Sequence, residues 1–564
     1  MPTAPPAALT TASLNTSIVA AVRYEVGGRP RFEQAVEHLG RLYRPVLGGA
    51  SVVGTWDPAA SCGLVAVGAE IGSGGVCWGR PLAPEGVPSD EPVRRVLEDP
   101  VSGRDLWGFW MVAGWVDDGL RLVTTAEPVS TLRRVEGRGS VAWATRGLAA
   151  HALAGVRPQI DDRLIPELVL FDFVFGDREL LEATRLEDRA VVVDLGRGGS
   201  RTSSYWPLVD RFAPGPATSA RELRDAVVEV AGRSLTAPDV VLGLTAGRDS
   251  TLFASCLAEV GGPVETYTMG DPSWPDVVGA GAVAGALGWP HRVLAPPDPS
   301  TTPPPSLERA IGWSVWGEGM VLGRDLVGEG LADLDGDRHL LLTGLGGEAG
   351  RALYWQGADQ PLVEQLLVHR DLCQGAPRAF LRDRVEEALD RCAGSGRRGQ
   401  DLLDVFYVEE RMRHWLLRSR PVAWVDGVVA AYLAPDVLRT LLDLPAEDRR
   451  TGRAFDEALA LGPLPLRAIA QAALSPVSPP ARTWRQRFRL PRSAGPTEAP
   501  AVVGLLDELD GGPARCTAAL GPGVVEGLRH DAPRQAGAQY RLWTVLAVEA
   551  LDRALARMEW PSPP

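Results

Sequence analysis

The segment Val240–Val260, VVLGLTAGRDSTLFASCLAEV, contains three kinds of sequence in a fixed order. A β-branched apolar run comes first, a short polar loop follows, and an amphipathic stretch completes the segment. The apolar run has the composition of a buried strand, and the amphipathic stretch has that of a helix whose C-cap is near Gly261. The segment therefore predicts a strand, a loop and a helix, with the loop at the carboxyl end of the strand.

Strands and helices continue to alternate after this segment. Further strands are predicted at VETYTMG and RVLAPP, with the small-residue helix PDVVGAGAVAGALGWPH between them. HLLLTGLGGEAGRALYW (His339–Trp355) adds another strand and a glycine-rich turn. Such alternation indicates βαβ units and a parallel sheet. Residues 360–474 and the segment AQYRLWTVLAVEALDRALARM have helical patterns.

Residues 1–207 have a different character. Apolar runs rich in aromatic residues are separated by many turns, and the Asp118-Gly119 step predicts a β-hairpin. The segment Arg189–Pro207 predicts a further strand, turn and strand. Because the pattern changes after Pro207, we expect one sheet-rich domain at 1–207 and a second domain at 208–564.

The overall composition excludes several classes of function. A net charge of −13 repels nucleic-acid backbones, so no nucleic-acid partner is expected. No apolar run reaches the ~18 residues that span a membrane, and no signal peptide is recognisable, so we expect a cytoplasmic protein without a membrane partner. The six cysteines form no CxxC pair and give no zinc pattern. All 58 basic residues are arginine, so contacts to phosphates depend on guanidinium groups.

The loop Leu244–Ser250 has the composition of an anion-binding turn. A glycine-containing loop between a buried strand and a helix directs backbone N–H groups toward an anion. The Gly-Lys-Ser/Thr ending of a Walker loop and the GxGxxG fingerprint are absent. Asp249 is favourable beside phosphates if it holds a magnesium ion, and Glu348, in the glycine turn after another strand, is the second carboxylate expected in the same crevice. A tight turn with solvated charges is the alternative interpretation of each motif alone.

These motifs also resemble a known family. LTAGRDS is similar to the SGGxDS pyrophosphate loop of adenine-nucleotide α-hydrolase-like ATP pyrophosphatases, and LTGLGGEAGRALYW is similar to the TGxGxDE segment of their asparagine synthetase branch. TYTMGDPSWPDVVGAGAVAGALGWPH and the segment Phe171–Trp206 resemble two further parts of that branch. The resemblance implies an α/β and α+β chain. It places an Ntn-like antiparallel sandwich, similar to a class II glutaminase, at 1–207 and a parallel-sheet synthetase domain with a helical extension at 208–564.

The resemblance implies a site for ATP and Mg²⁺. Asp249 and Glu348 match the metal-binding carboxylates of the family, and Thr268 and Met269 match the lining of its adenine pocket. The residues implied in ATP or pyrophosphate binding are Leu244, Thr245, Ala246, Gly247, Arg248, Asp249, Ser250, Thr268, Met269, Gly344, Gly346 and Gly347.

The sequence departs from asparagine synthetases where those enzymes release ammonia from glutamine. They expose a catalytic cysteine at position 2, whereas this chain has Pro2, and its first cysteine is Cys62. A glutaminase needs that thiol as its nucleophile, so the N-terminal domain is expected to be degenerate. Leu345 stands where β-lactam synthetases carry the tyrosine of a Tyr–Glu pair, which argues against such a pair in this chain.

Two further groups of residues are candidates for the chemistry. The family carries a lysine near its site, which a chain without lysine cannot supply, and Arg485 and Arg487 of RTWRQRFR are available cations for developing phosphate charge. A solvated basic loop is the alternative. Glu409 and Glu410 could supply the base that deprotonates an amine nucleophile, with an intrahelical ion-pair face as the alternative.

The resemblance implies an ATP- and Mg²⁺-dependent, glutamine-independent ligase that forms an amide through an acyl-adenylate and releases AMP and pyrophosphate. A lasso-peptide macrolactam cyclase, with a leader peptidase and a leader-binding protein as partners, is the favoured member of this class. A β-lactam-synthetase-like enzyme that joins a small-molecule carboxylate to an amine or hydrazine is the first alternative. A catalytically inactive nucleotide-binding scaffold is the second, because Ala246 and Ala349 replace family residues.

Overall fold

Strands dominate the first part of the chain and helices the last. The computed structural model describes residues 18–25, 28–43, 51–68, 71, 75–79, 81–83, 91–116, 119–129, 131–237, 239–294, 306–319, 339–357, 360–367, 376–416, 427–473, 499–533 and 535–560. The strands of the described residues are β1 (Ile18–Tyr24), β2 (Val52–Asp57), β3 (Cys62–Val67), β4 (Val76–Gly79), β5 (Trp110–Val116), β6 (Gly119–Thr124), β7 (Arg133–Gly137), β8 (Ser140–Ala144), β9 (Thr184–Leu186), β10 (Val191–Gly196), β11 (Gly199–Ser204), β12 (Asp239–Gly243), β13 (Glu265–Met269), β14 (His291–Leu294), β15 (His339–Thr343) and β16 (Val428–Ala430).

Helices lie between these strands and fill most of the later chain. Those as far as residue 406 are α1 (Gly28–Tyr43), α2 (Glu91–Glu98), α3 (Gly147–Ala154), α4 (Ile165–Phe171), α5 (Leu208–Arg211), α6 (Ala220–Ser234), α7 (Arg248–Val260), α8 (Pro275–Leu287), α9 (Leu307–Gly317), α10 (Leu362–Leu367), α11 (Ala376–Ala393) and α12 (Gln400–Phe406). The later ones are Arg413–Trp415, Pro435–Asp443, Ala446–Thr451, Arg453–Ala460, Leu466–Ala473, Ala499–Asp507, Ala514–Leu520, Pro522–Asp531 and Ala536–Arg557. No helix in these described ranges is both long and apolar enough to cross a bilayer.

The strands β1–β11 form two antiparallel sheets. Six strands pair in the order β2-β3-β1-β8-β7-β9, and five pair in the order β11-β10-β6-β5-β4. β5 and β6 pair antiparallel on either side of the predicted hairpin turn, and β10 and β11 pair likewise. The sequence predicted a sheet-rich part of the chain at this place, and the structure confirms it.

The later strands form a five-stranded sheet in the order β14-β13-β12-β15-β16. All four of its pairings are parallel. The apolar residues of β12, Val240, Val241 and Leu242, are buried in the middle of this sheet. The predicted alternation of strands and helices, and the parallel sheet, are therefore confirmed, and the chain is a mixed α/β protein.

The predicted helices flank the parallel sheet. α7 follows β12 and ends at Gly261, which has a φ of 82° and donates its N–H to Leu257. α8 connects β13 to β14 and ends at Gly288 in the left-handed conformation. Both C-caps are positions where a residue without a Cβ avoids strain.

One short strand was not predicted. Residues 360–474 had a helical pattern, but Val428–Ala430 pairs with β15 and forms the edge of the parallel sheet. A three-residue segment carries too little periodicity to be recognised, and its pairing with a distant strand decides its conformation.

Apolar side chains of all three sheets belong to one buried cluster. Val65 in β3, Leu120 in β6 and Leu242 in β12 are each fully buried members of it. Complete burial of one such side chain contributes about 1.5–3 kcal/mol, so the contacts between residues 1–207 and the rest of the chain make up part of the folding free energy.

Buried polar contacts also join these two parts of the chain. Nε of Arg384 in α11 donates to a carboxylate oxygen of Glu167 in α4 at 2.7 Å, and both side chains are buried. The carboxylate of Glu318 accepts the N–H groups of Gly147 and Leu148 at 2.9 and 2.8 Å. These N–H groups begin α3 and have no partner within the helix, so Glu318 satisfies them as a cap.

Glu127 is a buried carboxyl group that follows β6. One of its oxygens accepts the Gly108 N–H, and the other has no hydrogen-bond partner among the described residues. Burial raises the pKa of Glu127 to about 8. Between pH 4.5 and 8, the folded protein therefore retains a proton that the unfolded chain releases.

We expect Glu127→Gln to make stability less dependent on pH. The raised carboxyl pKa causes wild-type stability to fall as pH rises from about 5 to 8, with each pKa unit equivalent to about 1.4 kcal/mol. The variant lacks this titration, so its unfolding free energy rises relative to that of the wild type as pH increases over that range. Urea unfolding at pH 5, 6.5 and 8 measures it. Parallel pH profiles for the two proteins would show that this carboxyl group does not titrate in the window.

Candidate functional site

Two loops meet at the carboxyl ends of β12 and β15. These adjacent strands are parallel and in register, so the loops that follow them begin side by side. A Cβ on Gly344 would lie 2.8 Å from the backbone nitrogen of Ser250, and one on Gly347 would lie 2.5 Å from Cγ of Asp249. Both distances are too short for a side chain, so the two glycines permit the contact between the loops.

The first loop is held in shape by its own hydroxyl groups. Oγ of Ser250 lies 2.9 Å from Oγ1 of Thr245 and accepts the Thr245 N–H at 3.1 Å. Oγ1 of Thr245 in turn accepts the Gly247 N–H at 3.1 Å. The turn that precedes α7 is therefore preorganised before any ligand binds.

Ala246 joins this loop to α8. A Cβ on Gly279 would lie 2.5 Å from Cβ of Ala246, so the loop packs directly on a glycine of the helix. Burial raises the pKa of the Asp276 carboxyl group, and the nearby Ala246 N–H opposes that rise. Asp276 lies in the first turn of α8. It is a site residue that we did not single out from the sequence, although the small-residue helix that contains it was predicted.

Asp249 and Glu348 come together, as the parallel sheet predicts, and a guanidinium group lies between them. Nη2 of Arg351 is 2.7 Å from Oδ2 of Asp249 and 3.4 Å from Oε1 of Glu348. The side chains of Asp249, Glu348 and Arg351 are 14%, 31% and 33% exposed. Burial raises the pKa of Asp249, with a smaller contribution in the same direction from Glu348, and Arg351 opposes the rise. The pair is therefore a partly exposed concentration of negative charge with its own counter-ion.

Two buried tyrosines complete the surroundings of the carboxylates. The hydroxyl of Tyr407 donates to Oε2 of Glu348 at 2.9 Å, and the hydroxyl of Tyr432 donates to the backbone oxygen of Asp249 at 2.7 Å. Neither tyrosine was recognised in the sequence, because each is distant along the chain from both loops. Arg351 had a local signal, since it follows Glu348 by three residues in one 3₁₀ turn.

Arg248 is paired with a residue from the later helices. Its Nε and Nη2 donate to the two carboxylate oxygens of Asp456 at 2.8 and 2.9 Å. We included Arg248 among the residues implied in phosphate binding, and its guanidinium is already held by a bidentate ion pair.

The residues implied in adenine binding differ in exposure. Thr268 is buried, and its hydroxyl donates to the backbone oxygen of Leu244 at 2.5 Å, which ties β13 to the start of the loop. Met269, the next residue, is 38% exposed at the end of β13. Met269 is therefore the member of this pair that a ligand can reach.

Glu409 and Glu410 are buried and held by arginines. Glu409 forms an ion pair with Arg189 of the N-terminal part, whereas Glu410 lies 3.0 Å from Arg391 and accepts the Gly176 N–H at 2.7 Å. Both carboxylates thus belong to contacts that join the two parts of the chain. These buried ion pairs favour a structural role for both carboxylates, and the base role stays a prediction.

Several other predicted positions do not contribute described contacts to the site. Arg485 and Arg487 lie outside the described residues. Leu345 carries no side-chain polar group, and its N–H donates to Oγ1 of Thr343 at 3.3 Å. The tyrosine hydroxyl that contacts the Glu348 carboxylate belongs to Tyr407 and does not come from position 345.

The carboxylate pair suits a magnesium ion in the donors that it offers. Oδ1 of Asp249 is buried and has no hydrogen-bond partner in the described part of the chain. Magnesium commonly takes one or two carboxylates and completes its shell with water and phosphate oxygens. No group of three or more His, Cys, Asp or Glu residues that could hold a metal occurs among the described residues. The residues therefore fit a metal that arrives with phosphate ligands better than an ion enclosed by protein alone.

No protein-family model matches the chain, and no curated protein matches it significantly. The chain's own residues therefore carry the functional argument.

We expect Gly347→Ala to destabilise the site. Its methyl group would overlap Cγ of Asp249, and overpacking of this kind costs about 1–3 kcal/mol. Gly285→Ala in α8 is the matched control, because no atom lies within 4 Å of its added Cβ and alanine favours a helix by about 0.5–1 kcal/mol. Thermal unfolding should show a lower Tm for the first variant and an equal or higher Tm for the second. Equal Tm values for Gly347→Ala and wild type would contradict the close approach.

Proposed function

We propose that the chain is an ATP- and Mg²⁺-dependent ligase that activates a carboxylate as an acyl-adenylate, releases pyrophosphate and forms an amide with an amine. The observation that carries the proposal is the convergence of Asp249 and Glu348 beside the preorganised loop that precedes α7. Two carboxylates at the carboxyl edge of a parallel sheet, next to a helix N-terminus, form a combination suited to a metal-bound polyphosphate.

The chain's own residues would divide the work as follows. Asp249 and Glu348 would hold the metal, which supplies positive charge to the phosphate oxygens when bound. The N–H groups of the loop Leu244–Ser250 that are free of internal bonds would orient the phosphates, and Met269 would lie beside the adenine. Tyr407 and Tyr432 would keep the acidic loops in position through their hydrogen bonds.

The domain assignment is part of the same proposal. We interpret the two antiparallel sheets as a degenerate glutaminase-like, Ntn-like sandwich, and the parallel sheet with its later helices as an adenine-nucleotide α-hydrolase-like synthetase domain. Cys62 supports the loss of glutaminase chemistry, because burial raises the pKa of its thiol to about 12 and thiolate is the nucleophilic form. An external amine, and not ammonia from glutamine, would then attack the acyl-adenylate.

Within this class we favour a lasso-peptide macrolactam cyclase, supported by the degenerate N-terminal domain and the helix-rich later chain. It would join an Asp or Glu side chain of a peptide to the peptide's N-terminal amine, with a leader peptidase and a leader-binding protein as partners. A small-molecule amide or hydrazide synthetase uses the same site chemistry, and mass spectrometry would separate the two. Loss of one water from a co-expressed candidate peptide is the result that the cyclase produces.

A nucleotide-binding scaffold without turnover is the second candidate function. The observation that favours it is Arg351, whose guanidinium is a counter-ion that the two carboxylates share. Such a protein would bind ATP without releasing AMP or pyrophosphate for any acceptor.

We expect Asp249→Asn and Glu348→Gln each to reduce pyrophosphate release by at least about 100-fold, because removal of one charge from a metal-bound phosphate site commonly costs several kcal/mol. Pyrophosphate formed from ATP in the presence of candidate carboxylates and amines measures the effect. Glu37→Gln is the matched control, since it removes one exposed carboxylate in α1 that is paired with Arg41.

Unchanged pyrophosphate release by Asp249→Asn would refute the assignment. Nucleotide binding by the wild type, without pyrophosphate release for any acceptor, would instead support the scaffold.

A further inference from the structure

We infer that Arg351 is the resident counter-ion of the carboxylate pair and competes with a divalent ion for it, so that this residue determines how tightly the site holds metal. The inference deepens the proposed function and rests on its assignment of Asp249 and Glu348 as metal ligands. It concerns a residue that the sequence motifs do not specify.

The contacts show that one guanidinium serves both carboxylates. Nη2 of Arg351 lies 2.7 Å from one oxygen of Asp249 and 3.4 Å from one oxygen of Glu348. The second oxygen of Glu348 accepts the Tyr407 hydroxyl, whereas the second oxygen of Asp249 has no partner in the described part of the chain. A metal that binds both carboxylates would therefore meet the guanidinium that they share.

The backbone around Arg351 fixes this position. The 3₁₀ turn Gly347–Arg351 is bounded by Gly346 at φ 92° and by Ala352 at φ 49°, both left-handed. A non-glycine residue rarely adopts the left-handed conformation. Ala352, which directly follows Arg351, is such a residue. A Cβ on Gly350 would lie 2.5 Å from Cδ2 of Leu441, so the turn is pressed against the neighbouring helix. The fold thus fixes the Cα of Arg351, and the two carboxylates hold its guanidinium.

The competition follows from charge. Two close carboxylates repel each other, and either a guanidinium or a divalent ion relieves that repulsion. When the guanidinium already provides one positive charge, a metal gains less on binding, because it must displace that charge or share the same oxygens. After displacement, the partly exposed guanidinium remains next to the site and can contact phosphate oxygens, a role that lysine cannot fill in this chain.

The test measures binding of Mn²⁺ alone, without ATP or substrate. Mn²⁺ takes the same oxygen ligands as Mg²⁺, and the EPR signal of the free ion decreases on binding. We expect Arg351→Met to bind Mn²⁺ about tenfold more tightly than wild type, since close charge pairs are strongly coupled. Arg351→Lys keeps the positive charge and should bind Mn²⁺ as weakly as wild type.

Control variants separate this effect from a general change in charge. Arg41→Met removes one exposed guanidinium that pairs with Glu37 in α1, and its affinity for Mn²⁺ should equal that of wild type. The double variant Asp249→Asn/Arg351→Met should lose the gained affinity, because one of the two carboxylates is gone. If Arg351→Met fails to fold, Arg351→Gln provides a second neutral side chain, and circular dichroism identifies the folded variants.

The outcomes distinguish this inference from the proposed function. Equal Mn²⁺ affinity in wild type and a folded neutral variant, with loss of binding in Asp249→Asn, overturns the role of Arg351 and leaves the metal site in place. Equal gains in Arg351→Met and Arg41→Met also overturn it, since any lost arginine would then suffice. Absence of Mn²⁺ binding in all variants overturns the inference, whereas the metal assignment, which expects phosphate ligands to arrive with the ion, is tested separately by pyrophosphate release from Asp249→Asn and Glu348→Gln. Because no nucleotide is present, failure to find the ligase substrate does not affect the result.

Discussion

The backbones that follow β12 and β15 approach each other more closely than any side chain allows, and the candidate site depends on that approach. Gly344 lies against Ser250, and Gly347 lies against Asp249. The parallel, in-register pairing of the two strands brings both loops to one edge of the sheet, and the glycines allow the loops to touch there. Asp249 and Glu348 meet because of this geometry.

Arginine provides the positive charge at several interior positions of the molecule. Arg384 meets Glu167, Arg189 meets Glu409, and Arg351 meets Asp249. Guanidinium groups suit such places, because their planar forks satisfy carboxylate oxygens and are weakly hydrated. In a chain without lysine, the same residue type therefore joins the two parts of the fold and supplies a counter-ion at the candidate site.

Local sequence patterns predicted the parts of the fold that depend on local chemistry. The segment Val240–Val260 has a strand, a loop and a helix, as expected, and Gly261 caps the helix. The convergence of Asp249 and Glu348 could also be predicted, since parallel strands bring their carboxyl ends to one edge. Tyr407 and Tyr432 could not, because their contacts arise from packing between segments that are far apart along the chain. The ion pairs of Glu409 and Glu410 could not be predicted either, because a helical pattern does not show which surface packs against the helix.

The bidentate pair between Arg248 and Asp456 ties a distant helix to the loop that precedes α7. Arg248 is the first residue of α7, and Asp456 lies in the helix Arg453–Ala460. If a ligand bound the loop more tightly with this ion pair formed than with it broken, ligand binding would favour the formed state. Because such coupling is reciprocal, a contact that moved the helix would change the ligand affinity of the loop by the same factor. The ion pair between Arg248 and Asp456 is therefore one contact through which the later helices are linked to the turn that precedes α7.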